Sequence, residues 1–581
     1  MTKVKSVFAA LLLTAIVSVM PQAHAATTVK VVLAGSSAMW QSMALAAYKS
    51  GGCVSGGTAP CFHYTGSNFN LADGRPTVLG GSTAVDLGNV WIVWDSNTTS
   101  TNVWAYIKVD SAVGDRCYFA QPQCNVNITS FPAPANLISS TLWGDSSSDT
   151  TPPAEVSALF TGGTLLVNVA ATDIRPEDAL FATCRANSTL GGGADSLAGL
   201  GYGSNASGVC PAFGATLAKL EGSDILSAYP ASTSTAHVLA FALSGKDPFT
   251  GTTIPTASSV SVGAAPIIFI TQRTGALATV TNATDSQLHA AFGGSNCNAS
   301  AFGAPSAAIQ VYLREPLSGT MNTTEYTVFR YPAFSGTSQE TGVAAANPLA
   351  KACTSGGKRY RSIGTGEEVK FVLNSGTNYG TDGIGYTFFS YGNVSTIANS
   401  ASYAYLTLNG IDGIFHKYGS TIDPGQPATA GVLPAAANLP STCAGGAGAF
   451  PCAEGKIWSG NLSFPNLRNG SYRAWSTLRV VSNGTPLTNV KLLVTGAQTY
   501  VVNTVPDFVP AVKVGSTDPG LTLLRSHYTQ GGVAPINVAS TGDKGGDQGG
   551  CVLTSTGVTT TSDLTTKLAQ SAPDSACVSV P

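Results

Sequence analysis

The chain predicts an α/β fold of more than one domain, and three observations carry that expectation. At three places an apolar run ends, small hydroxyl residues follow and a helical pattern begins: Ser36-Ser37, Thr172-Asp173 and Ser318-Gly319-Thr320. A strand that feeds a helix through small residues is how α/β layers are built. The chain has 581 residues, more than a single core normally serves. Only 10% of residues are charged while 43% are hydrophobic, so the surface must be built from hydroxyl and amide groups, as in many secreted proteins.

The first segment sets the compartment. Lys3 and Lys5 precede the apolar run 7–20, and Ala23-His24-Ala25 forms an A-x-A cleavage site. The run is too short to span a bilayer comfortably. A Sec-type signal cleaved after Ala25 is therefore expected, with a periplasmic or extracellular mature protein. The cysteines number 12 and none lies in that segment, which suits disulfides in an oxidising space. Pairing neighbours gives Cys53–Cys61, Cys117–Cys124, Cys184–Cys210, Cys443–Cys452 and Cys551–Cys577, and leaves Cys297–Cys353. There is no C-x-x-C, and His63, His237, His289, His416 and His527 are scattered, so no metal or other cofactor is expected. No Lys/Arg cluster is present, which excludes a nucleic-acid partner.

Val29, Val31 and Leu33 alternate in a strand, Gly35-Ser36-Ser37 makes a turn with an N-cap, and Trp40, Met43, Leu45, Ala46 and Tyr48 form one helical face that Gly51-Gly52 ends. Residues 53–160 form an insertion in which "NVWIVWD" and "NVWAYIKVDS" are strands and "SSTLWGDSSSDTTPPAE" is an exposed loop. A strand then leads to Thr172-Asp173, and a helix starts near Pro176, with Glu177 and Asp178 at its positive end. Residues 265–272 are a buried strand, and "TDSQLHAAFGG" is a helix capped by Thr284 or Asp285 and stopped by Gly293. "GEEVKFVL" predicts a helix, a Gly-rich loop follows, and "IGYTFFS" and "STLRVV" predict strands. From about Gly531 a Gly/Ser/Thr-rich tail carries two cysteines.

The three hydroxyl-rich turns point to anion chemistry. A helix N-terminus offers free N–H donors and about half a positive charge. Ser36, Ser37, Ser318 and Thr320 add hydroxyl donors, and Gly319 allows close backbone approach. Arg314 supplies a full charge in a fork suited to tetrahedral oxyanions. Asp173 repels an anion unless it accepts a hydrogen bond from it, so it would favour hydrogen phosphate over sulfate. Taken singly, R-x-x-x-S-G-T is a weak pattern that an ordinary loop satisfies, and Thr172-Asp173 alone reads as an N-cap. Their order and context raise their meaning.

In that order the chain resembles the periplasmic phosphate-binding proteins of ABC transporters, within the two-lobed substrate-binding class. Gly35-Ser36-Ser37 is similar to their first turn, Ala171-Thr172-Asp173 to their A-S-D segment, and Arg314 with Ser318-Gly319-Thr320 to their R-x-x-x-S-G-T motif. Gly383-Ile384-Gly385-Tyr386 resembles their G-x-I-G-Y turn, Pro266 to Gly294 the crossing into the second lobe, and Tyr472 to Val480 the return. The resemblance implies a two-lobed, type II-like binding fold with β-rich insertions and a cleft between lobes. It implies lobes at 26–265 with 473–530, and at 266–472, followed by a tail at 531–581. It implies ligand contacts from Ser36, Ser37, Asp173, Arg314, Ser318, Gly319 and Thr320. The chain departs from the family in its length, in Ala38 where an aromatic is common, and in the second-loop Ser-Gly motif, for which Gly80-Gly81-Ser82 is the candidate substitute. The Trp- and Tyr-rich insertion is expected to extend the cleft or cover it.

The expected function is capture of phosphate or a related oxyanion by a non-enzymatic, monomeric solute-binding protein, with an inner-membrane ABC permease as partner. The rival is an extracellular surface protein that keeps the fold without transporting phosphate. A secreted phosphatase is disfavoured by the lack of G-x-S-x-G, H-E-x-x-H or a carboxylate/histidine cluster.

Overall fold

The structure, a computed structural model, describes residues 27–49, 61–72, 87–95, 102–120, 122–128, 130–144, 149–163, 165–174, 257–272, 274–315, 317–324, 350–390, 403–414 and 474–503. Short pieces at 78–79, 83–84, 328–329, 507–510, 553–554 and 557–558, and residues 464, 467 and 472, are also described. The expected signal segment, Gly51-Gly52, Gly80-Gly81-Ser82, the helix from Pro176 and all but four residues of the tail lie outside these.

The fold is mixed α/β around one large sheet. Its strands are β1 (Thr28–Gly35), β2 (Cys61–Ala72), β3 (Leu87–Asp95), β4 (Asn102–Lys108), β5 (Asn125–Asn127), β6 (Val169–Thr172), β7 (Ser258–Gln272), β8 (Gln310–Arg314), β9 (Ala350–Ala352), β10 (Lys358–Ser362), β11 (Gly383–Phe388), β12 (Tyr403–Leu408) and β13 (Trp475–Ser482). The path through the sheet runs β9–β10–β8–β11–β7–β13–β6–β1–β4–β3–β2–β5, with β12 also on β7.

Two parallel clusters lie at either side of this path. β1 pairs in parallel with β4 and β6, so Gly35 stands level with Lys108 and Ala171. β8 pairs in parallel with β10 and β11, so Arg314 stands level with Ser362. β7 joins the clusters. Its residues 258–266 pair antiparallel with β13, and residues 267–271 pair antiparallel with β11. The strand starts well before Ala265, where the apolar run begins. Val260 and Val262 alternate with serine and glycine in "SSVSVG", so the first half of the strand carries no continuous apolar run. The crossing divides the sheet into two halves.

The principal helices are α1 (Trp40–Lys49), α2 (Ser111–Phe119), α3 (Asp285–Phe292), α4 (Gly319–Thr324), α5 (Gly364–Leu373) and α6 (Gly484–Asn503). Ser36 caps the turn before α1 by accepting from Ala38 N at 3.3 Å. Thr284, rather than Asp285, caps α3, in a reciprocal box with Gln287. α6 was not anticipated from its Thr-, Val- and Gly-rich sequence. Val490, Leu493, Val494, Ala497 and Val501 nevertheless recur at helical spacing and are buried, and the helix packs against α1.

The aromatic strands β3 and β4 belong to the main sheet. They form the interior of the sheet, with Trp91 and Tyr106 fully buried and Trp91 Nε1 donating to Trp40 O at 2.8 Å. Cys117–Cys124 and Cys297–Cys353 are disulfides as paired above, and each other expected pair includes a residue outside those described.

α2 lies so close to β1 that a Cβ on Gly114 would stand 2.3 Å from Ala34 O and 2.6 Å from Gly35 Cα. Helix propensity alone predicts that Gly114→Ala stabilises by about 1 kcal/mol. Contact with backbone atoms predicts a loss of about 2 kcal/mol instead. A lower urea midpoint at unchanged slope is the expected result.

Candidate functional site

Because β1, β4 and β6 are parallel, the residues just beyond their carboxyl ends gather at one edge. They are Ser36-Ser37, Asp110-Ser111 and Asp173. Such an edge is where open α/β sheets bind ligands. Across the junction, the ends of β8 and β10 present Arg314, Glu315, Ser318-Gly319-Thr320 and Thr365. All of these are buried except Ser37, which is half-buried.

The residues from the two halves touch directly. Arg314 Nη2 donates to Asp110 Oδ1 at 3.0 Å, and Arg314 Nη1 to Thr365 Oγ1 at 3.0 Å. Thr365 Oγ1 also lies 3.1 Å from Ser37 Oγ. A Cβ on Gly319 would stand 1.6 Å from Asp173 Oδ1, so only glycine admits that carboxylate. Ser111 Oγ donates to Asp173 Oδ1, and Ser476 Oγ to Asp173 O. Ser318 Oγ accepts from Met321 N at 3.3 Å and so caps α4. Ser36 belongs to the same edge, but its hydroxyl is engaged in capping.

Thus Ser37, Asp173, Arg314, Ser318, Gly319 and Thr320, far apart in the chain, are brought to one junction. Several neighbours were not singled out from sequence. Asp110-Ser111 repeats the strand–hydroxyl–helix design. Thr365 arrives through the β8–β10 pairing, and Glu315 forks onto Arg314, with Nε to Oε2 and Nη2 to Oε1 both 2.8 Å. Asn322 is fully buried and its Nδ2 donates to Ser318 O at 2.9 Å.

The charges are tightly coupled. Burial pushes Glu315 up, but the Arg314 guanidinium outweighs it and holds the carboxyl down at about 2. Burial, then the Glu315 charge, pushes Asp110 well above the usual carboxylate range. Behind Arg314, Glu368 on α5 accepts from Tyr386 N at 3.1 Å and from Ser362 Oγ. Burial raises its carboxyl from 4.5 to about 7.

That shift has a sign. Between pH 4.5 and about 7 the folded chain holds a proton on Glu368 that the unfolded chain has released. Stability therefore falls as pH rises through this window, by on the order of 3 kcal/mol. Glu368→Gln is expected to flatten that part of a pH-stability curve, and an unchanged slope would contradict it.

No protein-family model matches the chain, and no curated protein matches it. Solved structures do. A high-affinity periplasmic phosphate-binding protein, PfluDING, bound with phosphate, is 12% identical with a TM-score of 0.31, over 83% of this chain and 90% of that one. The ancestral soluble variant of the human phosphate-binding protein is 14% identical with a TM-score of 0.30, over 80% and 84%. An ABC-type phosphate transport receptor from Vibrio cholerae is 12% identical with a TM-score of 0.24, over 42% and 70%. By name all three are phosphate-binding or phosphate-transport proteins, and likeness at this level identifies neither ligand nor activity.

Proposed function

We propose that the chain is a solute-binding protein that captures phosphate or a related oxyanion between its two lobes, and delivers it to an ABC-type permease after export. The observation that carries this reading is the convergence at one buried junction of Arg314, the Ser318–Thr320 turn, Ser37, Ser111 and Asp173. Arg314 provides charge, the hydroxyls provide donors, and Asp173 accepts from an anion that still carries a proton. The names of the structural neighbours point the same way.

Closure would be a hinge motion about β7 and β13, where the chain passes between residues 26–265 with 473–530 and residues 266–472. In the described state Nε, Nη1 and Nη2 of Arg314 all donate within the protein. An anion held by both Nη atoms must therefore replace Asp110 on Nη2, and can take the second Nη1 N–H beside Thr365. That internal engagement of the guanidinium is also what favours the rival reading, an extracellular interaction protein that keeps the fold without phosphate transport.

Thermal unfolding separates the two. Phosphate at 100 times its dissociation constant should stabilise by about 2.7 kcal/mol. The expected result is a rise with phosphate, none with sulfate, and none in Arg314→Ala. No shift with either anion would favour the interaction protein.

A further inference from the structure

We propose that Asp110 decides which oxyanion the pocket accepts: with Glu315 it holds one proton between two carboxyl groups, and an anion takes Arg314 only while that proton is in place. This rests on the oxyanion reading above and adds a residue and a proton to it.

The geometry of Asp110 is the starting point. It occupies the N-cap position of α2, where an aspartate ordinarily accepts from its own helix, yet it makes no capping hydrogen bond. Its carboxylate instead crosses the junction to Arg314 Nη2. That same nitrogen donates to Glu315 Oε1 at 2.8 Å, so two carboxyl groups meet on one donor. They are close enough to hydrogen-bond to each other. Two carboxylates sharing a site do not both ionise readily. Asp110 Oδ2 is buried and accepts from no donor among the described residues. A buried carboxylate oxygen without a donor is unfavourable, whereas a carboxyl O–H there can donate to Glu315.

The surroundings give the consequence its sign. Facing Asp110 are Arg314 and Glu315 from the end of β8 and Asp173 from the end of β6. Glu367 and Glu368 on α5 stand behind Arg314 and Glu315. Lys108, two residues earlier in the chain, lies 4.8 Å over the Trp40 ring. With one proton on the pair, Arg314 and the two carboxyl groups sum to zero charge. Without it they sum to one negative charge beside Asp173, and an anion is repelled. The ligand class that fits is a singly charged, hydroxyl-bearing phosphate species, which brings its own donor for Asp173, rather than a dianion or sulfate.

The test is calorimetric titration of inorganic phosphate into the mature wild-type protein and Asp110→Asn between pH 5.5 and 8.5. The quantity read is the ratio of wild-type to variant dissociation constants, in which the titration of phosphate itself cancels. The expected ratio is flat in acid and rises by about tenfold per pH unit once the pair ionises. Asp110→Ser, which keeps a preferred N-cap residue, should behave as Asp110→Asn does and guards against misfolding of one variant. A ratio independent of pH, with binding present, overturns the role of Asp110 alone. Absence of phosphate binding in all proteins at every pH overturns the oxyanion reading with it.

Discussion

Arg314 is 2% exposed, and a charge so buried must be answered by its surroundings. Glu315 forks onto it from the next residue, Asp110 reaches it from the other half of the sheet, and Thr365 takes a further N–H. Arg361 Nη1 donates to the Arg314 carbonyl at 2.6 Å, and Tyr386 accepts from its backbone N–H at 3.3 Å. Side chain and backbone are therefore both held, and the side chain is held partly by the opposite half. The guanidinium charge thereby ties the two halves of the sheet together.

That arrangement depends on topology more than on any local motif. Parallel pairing sets the carboxyl ends of β1, β4 and β6 level, and those of β8 and β10 level, so short turns from separate parts of the chain face one another. β7 and β13 then fix how the two clusters meet, because each residue of β13 is registered against β7 from Trp475 on Pro266 to Ser482 on Ser258. Close backbone approach does the rest. Gly114 lets α2 settle on β1, which places Asp110 and Ser111 at the junction, and Gly319 lets α4 reach Asp173.

Much of this was legible in the sequence, for physical reasons that also mark where legibility stopped. Strands ending in small hydroxyl residues announced Ser37, Asp173 and Ser318–Thr320, because such turns combine a local signal with an adjacent apolar run. Asp110-Ser111 follows the same rule but was hidden: "IKVDSAVGDRC" reads as strand carried through Ser111, and a helix with glycine near its start has weak propensity. The packing that requires Gly114 is tertiary and leaves no local trace. Glu315 was visible beside Arg314, yet nothing in the spacing shows that its carboxylate turns back onto the guanidinium. Thr365 comes from a parallel pairing across a long interval, which local pattern does not encode. The aromatic strands were recognised as strands, but their place in the sheet interior follows from pairing on both sides rather than from composition.

The most direct measurement is a crystal structure of the mature protein grown with phosphate. The account predicts the anion within hydrogen-bonding distance of the Arg314 guanidinium and of the Ser318 and Thr320 hydroxyls, with Asp110 displaced from Nη2 and the Glu315 fork retained. An unaltered Arg314–Asp110–Thr365 set, with no anion at the junction at saturating phosphate, would contradict it.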